Sequence, residues 1–293
     1  MQQLTAVSYP VVVKPVGLSA SRGVIRANNQ QELLVAIDRI KRLVNSMNDL
    51  EPEIKRYLLL EEFISGKEVA VEAMLSDSQL SVLTIFDKPD PLEGPYFEES
   101  YYITPTSLSK IVQEQVRLVL EAACRAYGLS EGPVHAECRI NEKGVFVIEI
   151  AARTIGGLCG RLLSFGTGQR LEELVLLQAM LRPIILEQHK EAAGVLMIPI
   201  PQAGVLKRVE GMLEAQRVPF VDEINIQIRE GHELIPLPEG ASYLGFIFAH
   251  APTTQEAEQA LRDAHARLKF IIAPLWKINS GNSNEAEKLS QAS

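Results

Sequence analysis

The chain has 293 residues, 46% of them hydrophobic, with 37 acidic against 29 basic side chains and a net charge of -8. That supports one large core or two modest ones, and an acidic balance without a basic stripe argues against a nucleic-acid partner. The three cysteines, Cys124, Cys138 and Cys159, show no metal or CxxC spacing, the opening residues lack an apolar leader core, and no run approaches about 18 apolar residues, so a reduced, cytoplasmic protein with no membrane span is expected.

In chain order, residues 10–14 read as a short buried strand and 23–27 as a second, with a loop of small residues between them. A helix is predicted over 30–47, where Leu33, Leu34, Ile37, Ile40, Leu43 and Val44 recur at helical spacing behind a cap at Asn28 or Asn29. Strands follow in RYLLLEEFI, KEVAVEAML and LSVLTIFDK. Pro89, Pro91, Gly94 and Pro95 then break regular structure and predict a loop long enough to act as a lid. Residues 107–127 predict an amphipathic helix with Ile111, Val112, Val116, Val119, Leu120 and Ala123 inward, ended by Gly128. A hairpin over 134–153 leads to the glycine-rich TIGGLCG and a helix at 170–181. Short strands begin near 194, a strand covers 241–249, and Thr253 caps a last helix over 254–269. The polar residues 278–293 are expected to be disordered.

The hairpin VHAECRINEKGVFVIEIAAR carries the sharpest signal. Strand alternation puts His135, Glu137 and Arg139 on one face of its first strand, with Val147, Glu149, Ala151 and Arg153 on the matching face of the second. A three-residue loop Glu142-Lys143-Gly144 pairs Asn141 with Val145, Arg139 with Val147 and Glu137 with Glu149. Like charges directly opposed destabilise a sheet, and a divalent cation between them reverses the sign. The alternative is a solvated face on which both glutamates pair with Arg139 and Arg153.

Three further segments carry chemistry. In VVVKPVGLSASRGV a strand ends in Lys14 before a loop holding Gly17, Ser19, Ser21, Arg22 and Gly23, a composition that suits anion binding and is also common in plain turns. In LLLEEFISGKEV, Glu61 precedes Glu68 by seven residues; a strand edge there offers adenine a donor and an acceptor, or is simply an acidic turn. In ARTIGGLCGR, Arg153 and Arg161 flank a backbone that Gly156 and Gly157 leave open to close approach.

In this order the four segments resemble the ATP-grasp superfamily of carboxylate-amine ligases, and within it the L-amino-acid ligase branch, over about residues 5–275, the tail GASYLGFIFAHAPTTQEAEQAL included. The resemblance implies an α+β, ATP-grasp fold over 1–190, a small mixed domain over 191–277 and a tail over 278–293. It implies ATP and Mg2+, with Mn2+ as a substitute, and formation of an amide or peptide bond through an acyl-phosphate on an amino acid or similar small substrate. Lys14 and Arg153 become the catalytic residues. Lys14, Ser19, Ser21, Gly23, Glu61, Glu62, Phe63, Ile64, Glu68 and His135 become nucleotide contacts, and Glu137 and Glu149 metal ligands. Lys88, Glu98, Glu99, Gly156, Gly157 and Arg161 are the substrate candidates.

Two departures stand out. The family pattern in the second hairpin strand is E-x-N, with the asparagine also reaching a metal, and here Ala151 stands in that place. The family also places a further domain and another lysine ahead of where Met1 lies, which suggests a truncated or split ligase. A non-catalytic ATP-binding module and a biotin-carboxylase-like or purine-pathway enzyme are the alternatives, and a homodimer or a separately encoded N-terminal half are the partners to consider.

Overall fold

The computed structural model describes residues 7–185 and 191–275. The N-terminal lobe is a three-stranded sheet in the order β2-β1-β3, formed by β1 (Val11–Pro15), β2 (Ile25–Ala27) and β3 (Leu58–Glu62). Helix α1 (Gln30–Asn45) packs Leu33, Ala36, Ile40 and Val44 against Val11, Val13, Ile25 and Ala27. It starts where it does because the Asn29 side chain accepts from the Glu32 N–H at 3.0 Å while the Glu32 carboxylate reaches back to the Asn28 N–H at 2.9 Å. Leu34, expected inward, is exposed.

The body is an eight-stranded sheet in the order β11-β13-β9-β6-β5-β4-β7-β8. Its strands are β4 (Lys67–Ser76), β5 (Gln79–Asp87), β6 (Tyr101–Thr104), β7 (Gly132–Asn141), β8 (Gly144–Ala151), β9 (Ala192–Ile198), β11 (Val221–Ile226) and β13 (Gly245–Ala251). A separate three-stranded sheet joins β10 (Gly204–Glu210), β12 (Glu233–Leu234) and β14 (Lys269–Ala273). Helix α2 (Lys110–Ala126), capped by Ser109, buries Val116, Leu120 and Cys124 on one face of the large sheet, and α6 (Thr254–Arg267), capped by Thr253, buries Ala257, Ala260, Leu261 and Ala264 further along it. Ile111 falls outside this stripe, at 74% exposed. Three short helices, α3 (Arg161–Thr167), α4 (Leu171–Ala179) and α5 (Met212–Gln216), and a 3-10 turn at Ile54–Arg56 complete the described elements. All three cysteines are buried and free, as expected.

Five elements escape the sequence reading, the short helix α5 and the 3-10 turn at Ile54–Arg56 among them. Strand β6 lies within the segment expected to be a lid, and it joins the halves of the sheet: Tyr101 pairs with Leu196 and Asp87 with Ile103. Strands on either side of residue 190 therefore share one sheet. Helix α3 follows the glycine-rich stretch directly, and β14 follows α6 after a single residue. The strand expected over 241–249 is Gly245–Ala251. Residues 278–293 lie outside the described residues.

β4 is buried along nearly its whole length because both its faces are covered. Val69, Val71 and Ala73 face α2, which leaves Glu68 and Glu72 on the opposite face, with Ala70 between them. That opposite face is the floor of the site.

Candidate active site

A cavity of about 340 Å³ separates the small lobe from the large sheet. From the lobe come Lys14, Ser19, Ser21, Glu61, Glu62, Phe63 and Ile64, and from the sheet Glu68, Glu137 and Glu149. A second cavity, of about 600 Å³, adjoins it and is lined by His135, Arg153, Gly156 and Gly157. The two share Ser19, Ser21, Glu99, Glu137 and Glu149 as a common wall.

Lys14 sits at the end of β1 and its ammonium lies 2.5 Å from Glu61, across the β1–β3 pair. The loop beyond it is held in an uncommon shape: Ala20 and Ser21 have φ of 56° and 55°, a left-handed conformation that non-glycine residues adopt only where the surroundings enforce it. The enforcement comes from residues 236–240. The Gly23 N–H donates to Pro238 O at 2.8 Å, the Arg22 side chain donates to Glu239 O at 2.6 Å, and Arg39 forks onto the Glu239 carboxylate at 2.5 and 2.9 Å. Gly23, expected to touch nucleotide, thus faces residue 238 and lies outside both cavities.

The hairpin does set Glu137 opposite Glu149. It reaches that register differently from the expectation. The turn is the tighter one, with Asn141 paired to Gly144 and only Glu142 and Lys143 between them, so that Arg139 opposes Phe146 and Cys138 opposes Val147. A β-bulge between Glu137 and Cys138 then takes up Ile148 as an extra residue and restores the pairing of the two glutamates. Consequently Val145 and Val147 pack toward α2 while Ile148 turns to the cavity, the reverse of the faces expected for them.

Behind Glu137 the charges form a buried network. Lys88, 3% exposed, lies 2.8 Å from Glu68 and 3.3 Å from Glu137 and also contacts Glu99. These three carboxylates have oxygens within 4.8 Å of one another, a spacing that could hold a metal, and the Lys88 ammonium is already bonded among them. Burial alone would raise the Glu137 carboxyl, but Lys88 and His135 hold it down at about 2. Glu99 is pushed up to about 7 by burial and by Glu137. Lys88 remains charged despite burial, because Glu137, Glu99 and Glu68 surround it. His135, whose Nδ1 lies 2.5 Å from Glu72, is raised to about 9: burial lowers it, and the neighbouring carboxylates of Glu137 and Glu72 prevail.

Arg139, which the sequence analysis named only as an alternative partner for the two glutamates, ties β7 to β4 and to the segment after β3. It donates to Glu68 at 2.7 Å and to Ile64 O at 2.6 Å, and its guanidinium lies 4.9 Å from the Phe63 ring centre. Strand alternation on KEVAVEAML and VHAECRI puts Glu72 on the same face as Glu68, Glu137 and Arg139, and that signal could have found it. Glu72, Tyr102, Cys159, Met197 and Tyr243 were likewise not anticipated as lining or supporting the second cavity.

Among the substrate candidates Glu99, Gly156 and Gly157 line a cavity, and Lys88 lies behind the shared wall. Glu98 and Arg161 line neither. Glu98 is half-buried, its carboxyl raised by that burial and lowered in part by the Ile200 N–H. Arg161 bonds Glu223 at 2.7 Å and stacks over Phe248. Arg153 is half-exposed, 3.8 Å from Glu149, at the rim of the second cavity.

The donor set fits a hard divalent cation: two carboxylates from neighbouring strands, one of them half-exposed to the cavity, with room beside them for oxygen ligands from a bound molecule. Lys14 and the hydroxyls of Ser19 and Ser21 across the same cavity fit an anion.

Comparison with known proteins agrees with this geometry. Residues 7–161 match the model of the ATP-grasp domain, and residues 196–273 that of the L-amino acid ligase C-terminal domain 2. The crystal structure of an L-amino acid ligase from Bacillus licheniformis superposes with a TM-score of 0.74 at 28% identity, over 91% of this chain and 64% of that one. Dapdiamide A synthase of Enterobacter agglomerans is 26% identical over 65% of this chain and 46% of its own length. D-alanine--D-alanine ligase of Prochlorococcus marinus is 28% identical over 57% and 46%. The chain spans about half the length of the curated relatives it matches. Among the described residues no helix is long and apolar enough to cross a membrane. With the domain model covering more than half of its residues, the chain belongs to the ATP-grasp family.

Proposed function

We propose that the chain is the nucleotide-binding part of an ATP-dependent ligase that joins a small carboxylate, such as an amino acid, to an amine. The observation that carries this reading is the shared wall: an anion-binding loop and a carboxylate pair meet along the border of two adjoining cavities, so one cavity can hold ATP while the other presents an acceptor to its terminal phosphate. Similarity to L-amino acid ligase and dapdiamide synthase supports the amino-acid class of substrate.

In this reading the polar edge of β3 at Glu61–Ile64 takes adenine, Glu68 the ribose, and Lys14 with the Ser19–Ser21 turn the phosphates. Glu137 and Glu149 hold Mg2+, which neutralises phosphate charge when bound. Lys14 exchanges its Glu61 partner for phosphate, a swap that keeps the ammonium paired before and after binding. A carboxylate in the second cavity would lie between Arg153 and the transferring phosphate; its oxygen takes the terminal phosphoryl group as the bond to ADP breaks and ADP leaves, and the guanidinium offsets negative charge gathering as the acyl-phosphate forms. Attack by an amine then forms the amide and releases phosphate. The protein supplies positioning and charge, and its side chains make no covalent bond to the substrate. The family matches also support a division of labour, with residues up to about 190 carrying the nucleotide and the later ones closing the second cavity through Met197 and Tyr243.

Calorimetric titration with ATP, with and without Mg2+, tests the reading. Magnesium-dependent binding is expected, and it should disappear in Glu137→Gln/Glu149→Gln. Binding that is indifferent to both the metal and the double substitution would discard it.

A further inference from the structure

His135 enters the second cavity from β7, two residues before Glu137 and on the same face, with its side chain only 6% exposed. Its orientation is fixed from behind. One Glu72 oxygen lies 2.5 Å from Nδ1 and the other accepts the Ile155 N–H at 3.0 Å. The remaining nitrogen, Nε2, is thereby directed at the cavity. Among the described residues its nearest charged neighbour is Glu137 Oε1 at 3.8 Å, longer than a hydrogen bond. Directly across the strand pair stands Ala151, whose methyl group is too short to reach that nitrogen.

A buried imidazole with one nitrogen held by a carboxylate and the other directed at an acidic cavity has the arrangement of a metal ligand, because the carboxylate fixes both ring plane and tautomer. A separation of 3.8 Å between nitrogen and oxygen is spanned by one cation with bonds of about 2.1 Å to each. Glu137 is turned toward both groups, since Lys88 approaches the same Oε1 at 3.3 Å.

We propose that His135 Nε2 ligates the divalent cation held by Glu137 and Glu149, with Glu72 as the residue that orients it. The inference rests on the nucleotide-and-metal reading above. A nitrogen in the set makes the site favour a transition-metal cation such as Mn2+, which accepts imidazole more readily, over Mg2+, which takes oxygen ligands. On binding, the nitrogen–metal bond replaces the Nε2 proton, which leaves to solvent, while Nδ1 keeps its proton on Glu72.

The test is pulsed electron paramagnetic resonance of Mn2+ with the full chain and ATP, using protein made with ordinary histidine and with 15N-histidine. The expected result is a nitrogen modulation of imidazole type that changes with the label, which excludes the nitrogens of adenine as its source. Bound Mn2+ whose spectrum ignores the label would overturn the proposal and leave the nucleotide reading standing; no bound Mn2+ in the presence of ATP would overturn both. As a second measurement, His135→Gln should weaken Mn2+ by about 10-fold or more while Mg2+ changes by no more than about 3-fold. Equal losses for the two ions would make His135 a packing residue and end the proposal.

Discussion

Lys88 carries its charge into the interior of the large sheet, and what surrounds it determines what its removal would do. Glu68, Glu99 and Glu137 are all largely buried, and each is compensated in part by this one ammonium. Lys88→Met would leave them facing one another without it, a type of change that costs about 3–5 kcal/mol. A large drop in urea midpoint is expected, with partial recovery when Glu68→Gln and Glu99→Gln are added. A midpoint equal to that of the parent would show that the cluster does not bear on stability. Asp87 tests the opposite charge. Burial would raise its carboxyl, but the Ser107 and Thr106 hydroxyls, the Ser107 N–H and Lys67 outweigh burial and hold it below its ordinary value. Because the folded value lies below the unfolded one, this contribution is complete above about pH 4 and is lost as pH falls through the folded value. Asp87→Asn should therefore be less stable at neutral pH and show a shallower acid limb, measured by thermal unfolding between pH 3 and 7. Parallel curves for the two proteins would refute the assignment.

At the scale of elements, the glutamate pair was legible because a period of two and a short turn leave few registers open. The expected loop was one residue too long and the bulge at Ile148 was not expected; the two differences cancel at Glu149 and leave Phe146, Val147 and Ile148 on the wrong faces. Bulges depend on twist and on packing against α2, neither of which a strand pattern records. Strand β6 was hidden by its prolines, since YYIT is short and lies between Gly94-Pro95 and Pro105. The hold of residues 236–240 on the loop after Lys14 had no local signal at all, because its partners lie about 200 residues apart in sequence. Its importance can be measured. Glu239→Ala removes the Arg39 fork but keeps the backbone carbonyl that Arg22 uses, and a half-exposed pair of this kind contributes about 1 kcal/mol. Hydrogen exchange at 19–24 should quicken by roughly 5-fold while β4 is unaffected. Unchanged exchange at the loop would mean that the bonds to Pro238 and Glu239 backbone oxygens suffice.

For the molecule as a whole, the small lobe and the large sheet contribute separate halves of the site and have separate cores. The lobe's core is small, built from Val11, Val13, Ile25, Ala27 and the buried stripe of α1, whereas the large sheet is covered by α2 on one face and by the Phe86–Tyr102–Phe248 cluster on the other. The lobe is tied to the body by narrow connections, among them the Ile25–Tyr96 bridge, the Arg26 N–H on Pro95 O at 2.9 Å, the Arg26 side chain on Glu93, and the hold of residues 236–240 on the loop after Lys14. A small core with few ties opens more readily than a large one, so without ligand the amides of α1 should exchange faster than those of β4. ATP with a divalent cation contacts both halves in the proposed complex, and a ligand bound only by the closed form stabilises it by about 2.7 kcal/mol at 100 times its Kd. Exchange in α1 should then slow toward that of β4, although none of the buried α1 residues touches the cavity. Glu137→Gln/Glu149→Gln should abolish the slowing, measured against the same variant without ligand. Slowing confined to residues that line the cavity would show instead that the two halves open independently and that the nucleotide does not couple them.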